Sequence, residues 1–178
     1  MQPAFITRDW SPPTSQDKEL GRFTLVTWNI LCDALSDAFD RVPKDYLVWE
    51  YRWPLIKQQL VMEGNIKWDI ILLQEVDKYD DINAFLSTHG YKGYLKMKPD
   101  NLMGCALFWR TASFEQISID SKQFVVTDKN DKRFGKDMNQ LYIDGTFRHL
   151  ASDTNVRIMT THLKAKYNGL KDRIQSVH

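Results

Sequence analysis

The feature that most constrains the fold is the short apolar run Asp69–Leu73 (DIILL). A short, continuous apolar run bounded by polar residues is typical of a strand that is covered on both faces. We therefore expect this strand to lie inside a sheet with other layers on either side. The carboxylate of Glu75 follows the run almost directly, which predicts that it lies at the rim of a buried sheet.

The other predicted strands are rich in β-branched and aromatic residues. They are Arg22–Leu31, Tyr91–Met97, Cys105–Trp109, Phe114–Ile119, Gln140–Phe147 and Val156–Thr161. Helices are predicted at Leu47–Met62 and Asp80–Thr88, the first of which begins near Trp53 or kinks at Pro54. Strands that first alternate with helices and then follow one another predict a layered α/β sandwich with a mixed sheet.

No repeat or linker divides the chain, and its 178 residues fit a single domain. We expect residues 1–21 to form a flexible N-terminal lead-in and residues 22–178 to form one domain. The chain has 24 Lys and Arg against 23 Asp and Glu, so no basic excess indicates a surface that coats nucleic acid. No apolar run approaches the length of about 20 residues that a membrane-spanning helix needs, so no membrane association is expected.

The two cysteines, Cys32 and Cys105, lack a CxxC spacing and lie in apolar runs. This pattern predicts buried free thiols in a reducing compartment. The N-terminal residues lack the apolar segment of a secretory signal peptide. We therefore expect a cytoplasmic protein, although a mitochondrial address stays open.

Three polar segments follow predicted strands, at the edge where open α/β sheets bind ligands. Asn29 ends the first strand, and an amide can donate to a phosphoryl oxygen. Glu75 can bind a hard cation such as Mg²⁺, which favours one or two carboxylates together with water and phosphate. His162 is followed by Lys164 and Lys166, and these three side chains can surround a phosphate with positive charge.

Each of these residues also has a plainer interpretation when it is considered alone. Asn29 could cap the turn before Asp33, and Glu75 could pair with a lysine. His162 and the lysines after it could lie in a solvated basic loop. Taken one at a time, the residues favour these plainer interpretations over a role in chemistry.

Six stretches, however, occur together and in a known order. They are Thr27–Leu35 (TWNILCDAL), Trp49–Ile56 (WEYRWPLI), Asp69–Asp77 (DIILLQEVD), Gly90–Pro99 (GYKGYLKMKP), Gly104–Arg110 (GCALFWR) and Thr161–Lys166 (THLKAK). With them, the chain resembles the endonuclease/exonuclease/phosphatase superfamily, and within it the branch of nocturnin and the carbon-catabolite-repression deadenylases. The joint match favours the chemical role of the three polar segments.

The resemblance implies the layered α/β sandwich of that superfamily and a Mg²⁺-dependent phosphoesterase. Glu75 would then hold the metal, Asn29 would support the metal and the phosphate, and His162 would stabilise the phosphoryl transition state. The residues that would contact substrate are Lys98, Lys164, Lys166 and Arg173. Nocturnin-like proteins often have Arg where Lys166 stands, and a lysine lacks the bidentate fork of arginine.

The substrate that the resemblance implies is an adenine-containing phosphate ester, either NADP(H) losing its 2′-phosphate or poly(A) RNA trimmed from its 3′ end. The resemblance names no protein partner. The GDFN and SDH motifs that the family carries later in its chain are absent, and Met103 stands where the branch usually has Asp. The alternative interpretation is therefore a truncated, inactive fragment or an incomplete gene model, for which we expect very weak turnover or none.

Overall fold

The structure is a computed structural model that describes residues 21–61, 68–127, 129, 131–133 and 135–163. The elements, in chain order, are β1 (Leu25–Asn29), α1 (Asp33–Ser36), a 3₁₀ turn (Lys44–Tyr46), α2 (Trp49–Leu60), β2 (Ile70–Val76), α3 (Tyr79–Ser87), β3 (Tyr91–Met97), β4 (Gly104–Arg110), β5 (Phe114–Val125), β6 (Asp137–His149) and β7 (Thr154–Thr161). The predicted lead-in lies outside the described residues except for Gly21.

The described strands form two sheets. The first has the order β1-β2-β4-β3 and the second has the order β5-β6-β7. In the first sheet β1 runs parallel to β2, whereas β4 is antiparallel to both β2 and β3. The second sheet is antiparallel throughout. This arrangement confirms the predicted layered α/β sandwich with a mixed sheet.

Strand β2 lies at the centre of the layers, and all seven of its residues are buried. Successive side chains of a strand point to opposite faces. Accordingly, Ile71 and Leu73 pack into a core with residues of α2 and α3. Ile70 and Leu72 pack into a second core with residues of β6 and β7. The first sheet is therefore covered by helices on one face and by the second sheet on the other, as its apolar run predicts.

Helix α2 spans Trp49–Leu60, within the predicted Leu47–Met62, and of the two alternatives for Pro54 the start near Trp53 is wrong. Pro54 lies inside the helix and leaves one carbonyl of the preceding turn without its helical donor. Side-chain packing outweighs this loss, since Trp49 is buried, stacks on Trp53 and donates from Nε1 to Asp81 at 2.8 Å. None of the helices in the described part of the chain is long and apolar enough to span a membrane.

Both cysteines are free and fully buried, as the sequence predicts. Burial raises the pKa of the Cys105 thiol to about 11 and also raises that of Cys32. Neither thiol is therefore a thiolate at neutral pH, and the thiolate is the reactive form of cysteine. The two residues act as small apolar side chains of the core.

Candidate active site

The carboxyl ends of β1 and β2 lie side by side, because these strands are parallel and Asn29 pairs with Gln74. Asn29 Nδ2 donates a hydrogen bond of 2.7 Å to Glu75 Oε1. His162, which follows β7, places Nε2 at 3.3 Å from the same oxygen. The structure thus brings together the three polar residues that the sequence places at separate strand ends.

Glu75 lies inside β2 rather than after it, and its backbone explains where its side chain points. Its φ is +57°, and the pairing of β2 with β4 shifts register between Gln74 and Val76. A bulge of this kind re-aims a side chain, and bulges are common beside active sites. A left-handed backbone is uncommon for glutamate and persists only where the surroundings impose it. Glu75 as a whole is only 8% exposed.

The turn after β1 wraps around the Glu75 carboxylate. Asn29 Oδ1 accepts a hydrogen bond of 3.0 Å from the backbone N–H of Leu31, whose φ is +61°. The backbone N–H of Cys32 donates to Glu75 Oε2 at 3.4 Å. One amide therefore caps the turn and orients the carboxylate, so the plainer interpretation of Asn29 and the chemical one are both compatible with this geometry.

Arg52 on α2 holds this turn in place, although no motif in the sequence predicts a role for it. Its Nη1 donates to the carbonyls of Ile30 at 2.9 Å and Leu31 at 2.7 Å. Its Nε donates to the carbonyl of Leu47 at 2.7 Å, and its Nη2 contacts Asp33 Oδ1 at 2.5 Å. The WEYR stretch was the available signal, but periodicity alone does not show which backbone carbonyls an arginine will reach.

Gln74, which was not among the predicted site residues, connects the two sheets beside the site. Its Nε2 donates to Thr27 Oγ1 at 3.1 Å, Thr160 Oγ1 at 3.2 Å and the Leu72 carbonyl at 3.4 Å. Thr160 is two residues before His162, so this network fixes where the histidine enters the site. A polar residue within a buried strand was the signal, since buried polar groups are almost always hydrogen-bonded.

Lys98 follows β3 and is buried close to His162. Burial is the main cause that lowers the pKa of His162, and the positive charge of Lys98 lowers it further, whereas Glu75 opposes them. Because the usual value is 6.5, His162 is neutral at pH 7 in this environment. The imidazole is then a hydrogen-bonding group, and Lys98 supplies the positive charge.

No family model matches the chain, but individual proteins do. The chain is 39% identical over 133 residues to carbon catabolite repressor protein 4 homolog 3 of Arabidopsis thaliana, a match that covers 69% of this chain and 29% of that protein. It is 28% identical over 184 residues to Nocturnin of Drosophila melanogaster, covering 96% of this chain and 26% of Nocturnin. The human Nocturnin catalytic domain, solved with a bound sulfate anion, superposes with a TM-score of 0.65 and 27% identity, covering 86% of this chain and 57% of that structure.

The chain belongs to the nocturnin and CCR4 branch of the endonuclease/exonuclease/phosphatase superfamily. It spans between a quarter and a third of the length of the two curated relatives named above. Three substrate contacts that the family resemblance implies lie outside the described residues. They are Lys164, Lys166 and Arg173.

The loop between β3 and β4 lies beside the site. Asp100 Oδ2 accepts a hydrogen bond of 2.5 Å from Asn139 Nδ2, which ties this loop to β6. That hydrogen bond is the main cause that lowers the pKa of Asp100. Met103 Sδ lies 3.7 Å from Cys32 Sγ, so this loop also contacts the turn after β1. A surface depression of about 370 Å³ lies here, lined by Pro99, Asp100, Gln123, Met138 and Asn139.

The donors at the site fit some metals and not others. In the described part of the chain, no group of three or more His, Cys, Asp or Glu side chains could hold a metal ion. Structural zinc takes four such donors, which is more than the described residues bring together here. Mg²⁺ keeps several waters and uses one or two carboxylates plus substrate phosphate, so Glu75 beside Asn29 fits it.

Proposed function

We propose that this chain supplies part of the active site of a Mg²⁺-dependent phosphoesterase that acts on adenine-containing phosphate esters. The observation that carries the proposal is the buried Glu75 carboxylate, which Asn29 orients at 2.7 Å and His162 contacts at 3.3 Å. Buried carboxylates need specific partners, and among the described residues these are the Asn29 amide, the Cys32 backbone N–H and the His162 imidazole. Such an arrangement suits a site that is completed by a cation and a phosphate.

Glu75 would hold the metal, and Asn29 would keep the carboxylate in one orientation. When bound, Mg²⁺ would polarise a phosphoryl oxygen and so make phosphorus more electrophilic. The turn from Asn29 to Cys32 would prevent the carboxylate from rotating, because it donates to both carboxylate oxygens. Pre-organisation of this kind avoids reorientation of the donors during the reaction.

Lys98 and His162 would bind the phosphate itself. The ammonium of Lys98 would balance negative charge that builds on the equatorial oxygens. Neutral His162 would donate one hydrogen bond to a phosphoryl oxygen, and a bound phosphate would raise its pKa again. Deletion of one such donor costs about 2.7–4 kcal/mol of transition-state stabilisation in other enzymes. Lys164, Lys166 and Arg173 would add further positive charge.

The substrate that we propose first is NADP(H), which would lose its 2′-phosphate. The chain has 24 basic and 23 acidic residues, so it has no excess of positive charge with which to bind the RNA backbone. This balance favours a small dinucleotide as the substrate. The second candidate is the 3′ end of poly(A) RNA. Both contain an adenosine and a phosphate ester, so a single site chemistry serves either.

The test measures binding and turnover separately. Binding of NADP⁺ and of a short oligo(A) is measured by calorimetry with and without Mg²⁺, and phosphate release and RNA shortening are assayed in parallel. We expect Mg²⁺-dependent binding of at least one ligand that weakens about tenfold or more in Glu75→Gln. Binding of both ligands that is indifferent to Mg²⁺ and to Glu75→Gln would overturn the proposal.

A further inference from the structure

Two buried glutamines of this chain differ in how their amides are satisfied. Gln74, which is 8% exposed, donates to three oxygens. Gln140, which is 4% exposed, has a buried Oε1 without a hydrogen-bond partner among the described residues. A buried acceptor that lacks a donor destabilises the folded state, and such groups in folded proteins call for an explanation. A bound ligand that brings the donor is one explanation.

Gln140 lies on β6 at the end of the sandwich that carries the site. Its neighbour Asn139 is exposed and bonds to Asp100, which is two residues after the buried Lys98. The next residue, Leu141, is part of the core between the two sheets. The pairing of β5 with β6 shifts register between Gln123 and Val125, so side chains do not alternate regularly at this point, and the adjacent residues Gln140 and Leu141 are both buried.

The opposite side of Gln140 is bounded by the segment that carries His162. On β6, Tyr142 pairs with Thr161 of β7, and Thr161 Oγ1 donates to the Leu141 carbonyl at 2.6 Å. Because the strands are antiparallel, the chain beyond Thr161 runs alongside Leu141 and Gln140. Along β6, Gln140 therefore lies between Asn139, which contacts the loop after Lys98, and Leu141, which contacts the segment that carries His162.

We propose that Gln140 contacts the substrate, and that its Oε1 accepts a hydrogen bond from the ribose hydroxyl next to the reacting phosphate. An uncharged acceptor oxygen cannot bind a phosphate oxygen, but it suits a neutral hydroxyl donor. NADP(H) has a free 3′-hydroxyl beside its 2′-phosphate, and RNA has a free 2′-hydroxyl beside each 3′-phosphoester. The inference rests on the proposed phosphoesterase function and applies to both substrate candidates.

The test combines a stability measurement with binding of nucleotide probes. The probes are adenosine 2′-monophosphate and adenosine 3′-monophosphate, each compared in Mg²⁺ with the analogue that lacks the neighbouring hydroxyl. Gln140→Leu is compared with wild type and with Gln74→Leu, a matched change at a buried glutamine whose Nε2 lies within hydrogen-bonding distance of three oxygens. Melting temperatures are recorded for all three proteins.

We expect wild type to prefer the hydroxyl-bearing form of a probe roughly fivefold to tenfold. Gln140→Leu should lose that preference while its melting temperature stays unchanged or rises by about 2–4 °C. Gln74→Leu should melt lower. A stable Gln140→Leu that keeps the full preference would overturn the inference and leave the proposed function intact.

Two other results would also overturn the inference. A melting temperature of Gln140→Leu that falls as far as that of Gln74→Leu would show that Gln140 is a structural residue. If the wild-type protein binds no probe with or without Mg²⁺, the proposed function is disproved. The inferred contact between Gln140 and the substrate is then disproved as well.

Discussion

Asn29 and Glu75, which are 46 positions apart in the chain, are joined by a hydrogen bond of 2.7 Å from Nδ2 to Oε1. Parallel pairing of β1 with β2 makes this bond possible, and the left-handed backbone of Glu75 turns its carboxylate toward the amide. The same carboxylate oxygen lies 3.3 Å from His162 Nε2. Glu75 therefore connects the two parallel strands of the first sheet with the segment that follows the second sheet.

Asn29→Ala should weaken Mg²⁺-dependent nucleotide binding, because the Glu75 carboxylate loses the donor that fixes its orientation. It should also lower the free energy of unfolding by about 1 kcal/mol, since Leu31 loses the acceptor of its N–H. Calorimetric titration and urea unfolding measure the two effects. Asn155→Ala, at an exposed position near the far end of β7, is the control and should change neither quantity.

Arg52→Gln should lower the free energy of unfolding by about 1–3 kcal/mol, because buried carbonyls of the turn after β1 lose their donor. Nucleotide binding should weaken with it, since that turn carries Asn29. Arg52→Lys should restore little of either, because one ammonium lacks the planar fork that reaches several acceptors. Full rescue by lysine in urea unfolding and titration would contradict the geometric role of Arg52.

Arg148→Gln provides the matched control for Arg52. Arg148 pairs with Glu115 and Asp153 through exposed side chains. Exposed ion pairs contribute about 0–1 kcal/mol, so the loss of stability should stay within that range. If both arginine variants lose the same free energy of unfolding, the stabilising effect of Arg52 comes from its charge and not from its contacts with the backbone carbonyls.

The sequence predicted the centre of the fold well, and for a physical reason. In the apolar run before Glu75, alternate side chains point to opposite faces of the sheet, and the side chains on both faces are apolar. Burial of the strand on both faces can therefore be predicted from the run itself. The bounds of Tyr91–Met97 were also predicted, since they are bracketed by turn residues. The resemblance located Asn29, Glu75, Lys98 and His162 within their stretches.

The parts that the sequence did not predict depend on contacts between distant residues. The bulge at Glu75 is a slip in pairing with β4, which leaves no trace in hydrophobicity. The start of α2 at Trp49 depends on stacking with Trp53 and on Asp81 of another helix. The buried amide of Gln140 could not be predicted, because a single glutamine in a strand has no distinctive spacing.

Gln74→Leu should lower the free energy of unfolding by about 1–3 kcal/mol, because Thr27 and Thr160 lose the donor they share. Leucine fills the buried position with an apolar side chain of similar size, so a cavity is not the main cause of the expected loss. Urea unfolding measures the loss. Gln116→Leu, at an exposed position of β5, should be neutral, and an equal effect in both would contradict the role of the network.

The pH dependence of the free energy of unfolding should reveal the lowered pKa of the buried His162 imidazole. Since the pKa of His162 is lower in the folded state than the usual 6.5, the unfolded chain binds more protons below that value. Stability should therefore be complete above about pH 6.5 and should fall as pH drops through the lowered pKa. The measurement is urea unfolding across pH 5–8 in EDTA, and His162→Gln should remove this part of the slope.

Lys98→Met offers a direct check on the cause of that shift. Removal of the positive charge should raise the pKa of His162 toward its usual value, although burial still holds it lower. An NMR titration of the imidazole in metal-free buffer measures the change. An unchanged or lower pKa of His162 would show that the two side chains do not interact.

The most direct test of the site is Mn²⁺ binding to the purified chain, followed by electron paramagnetic resonance in wild type, Glu75→Gln and the exposed control Glu115→Gln. Mn²⁺ suits the same oxygen ligands as Mg²⁺ and is visible by this method. We expect wild type and Glu115→Gln to bind with equal affinity, and Glu75→Gln to bind about tenfold more weakly or worse. Equal affinity in wild type and Glu75→Gln would contradict the assignment of Glu75 as the metal-binding carboxylate.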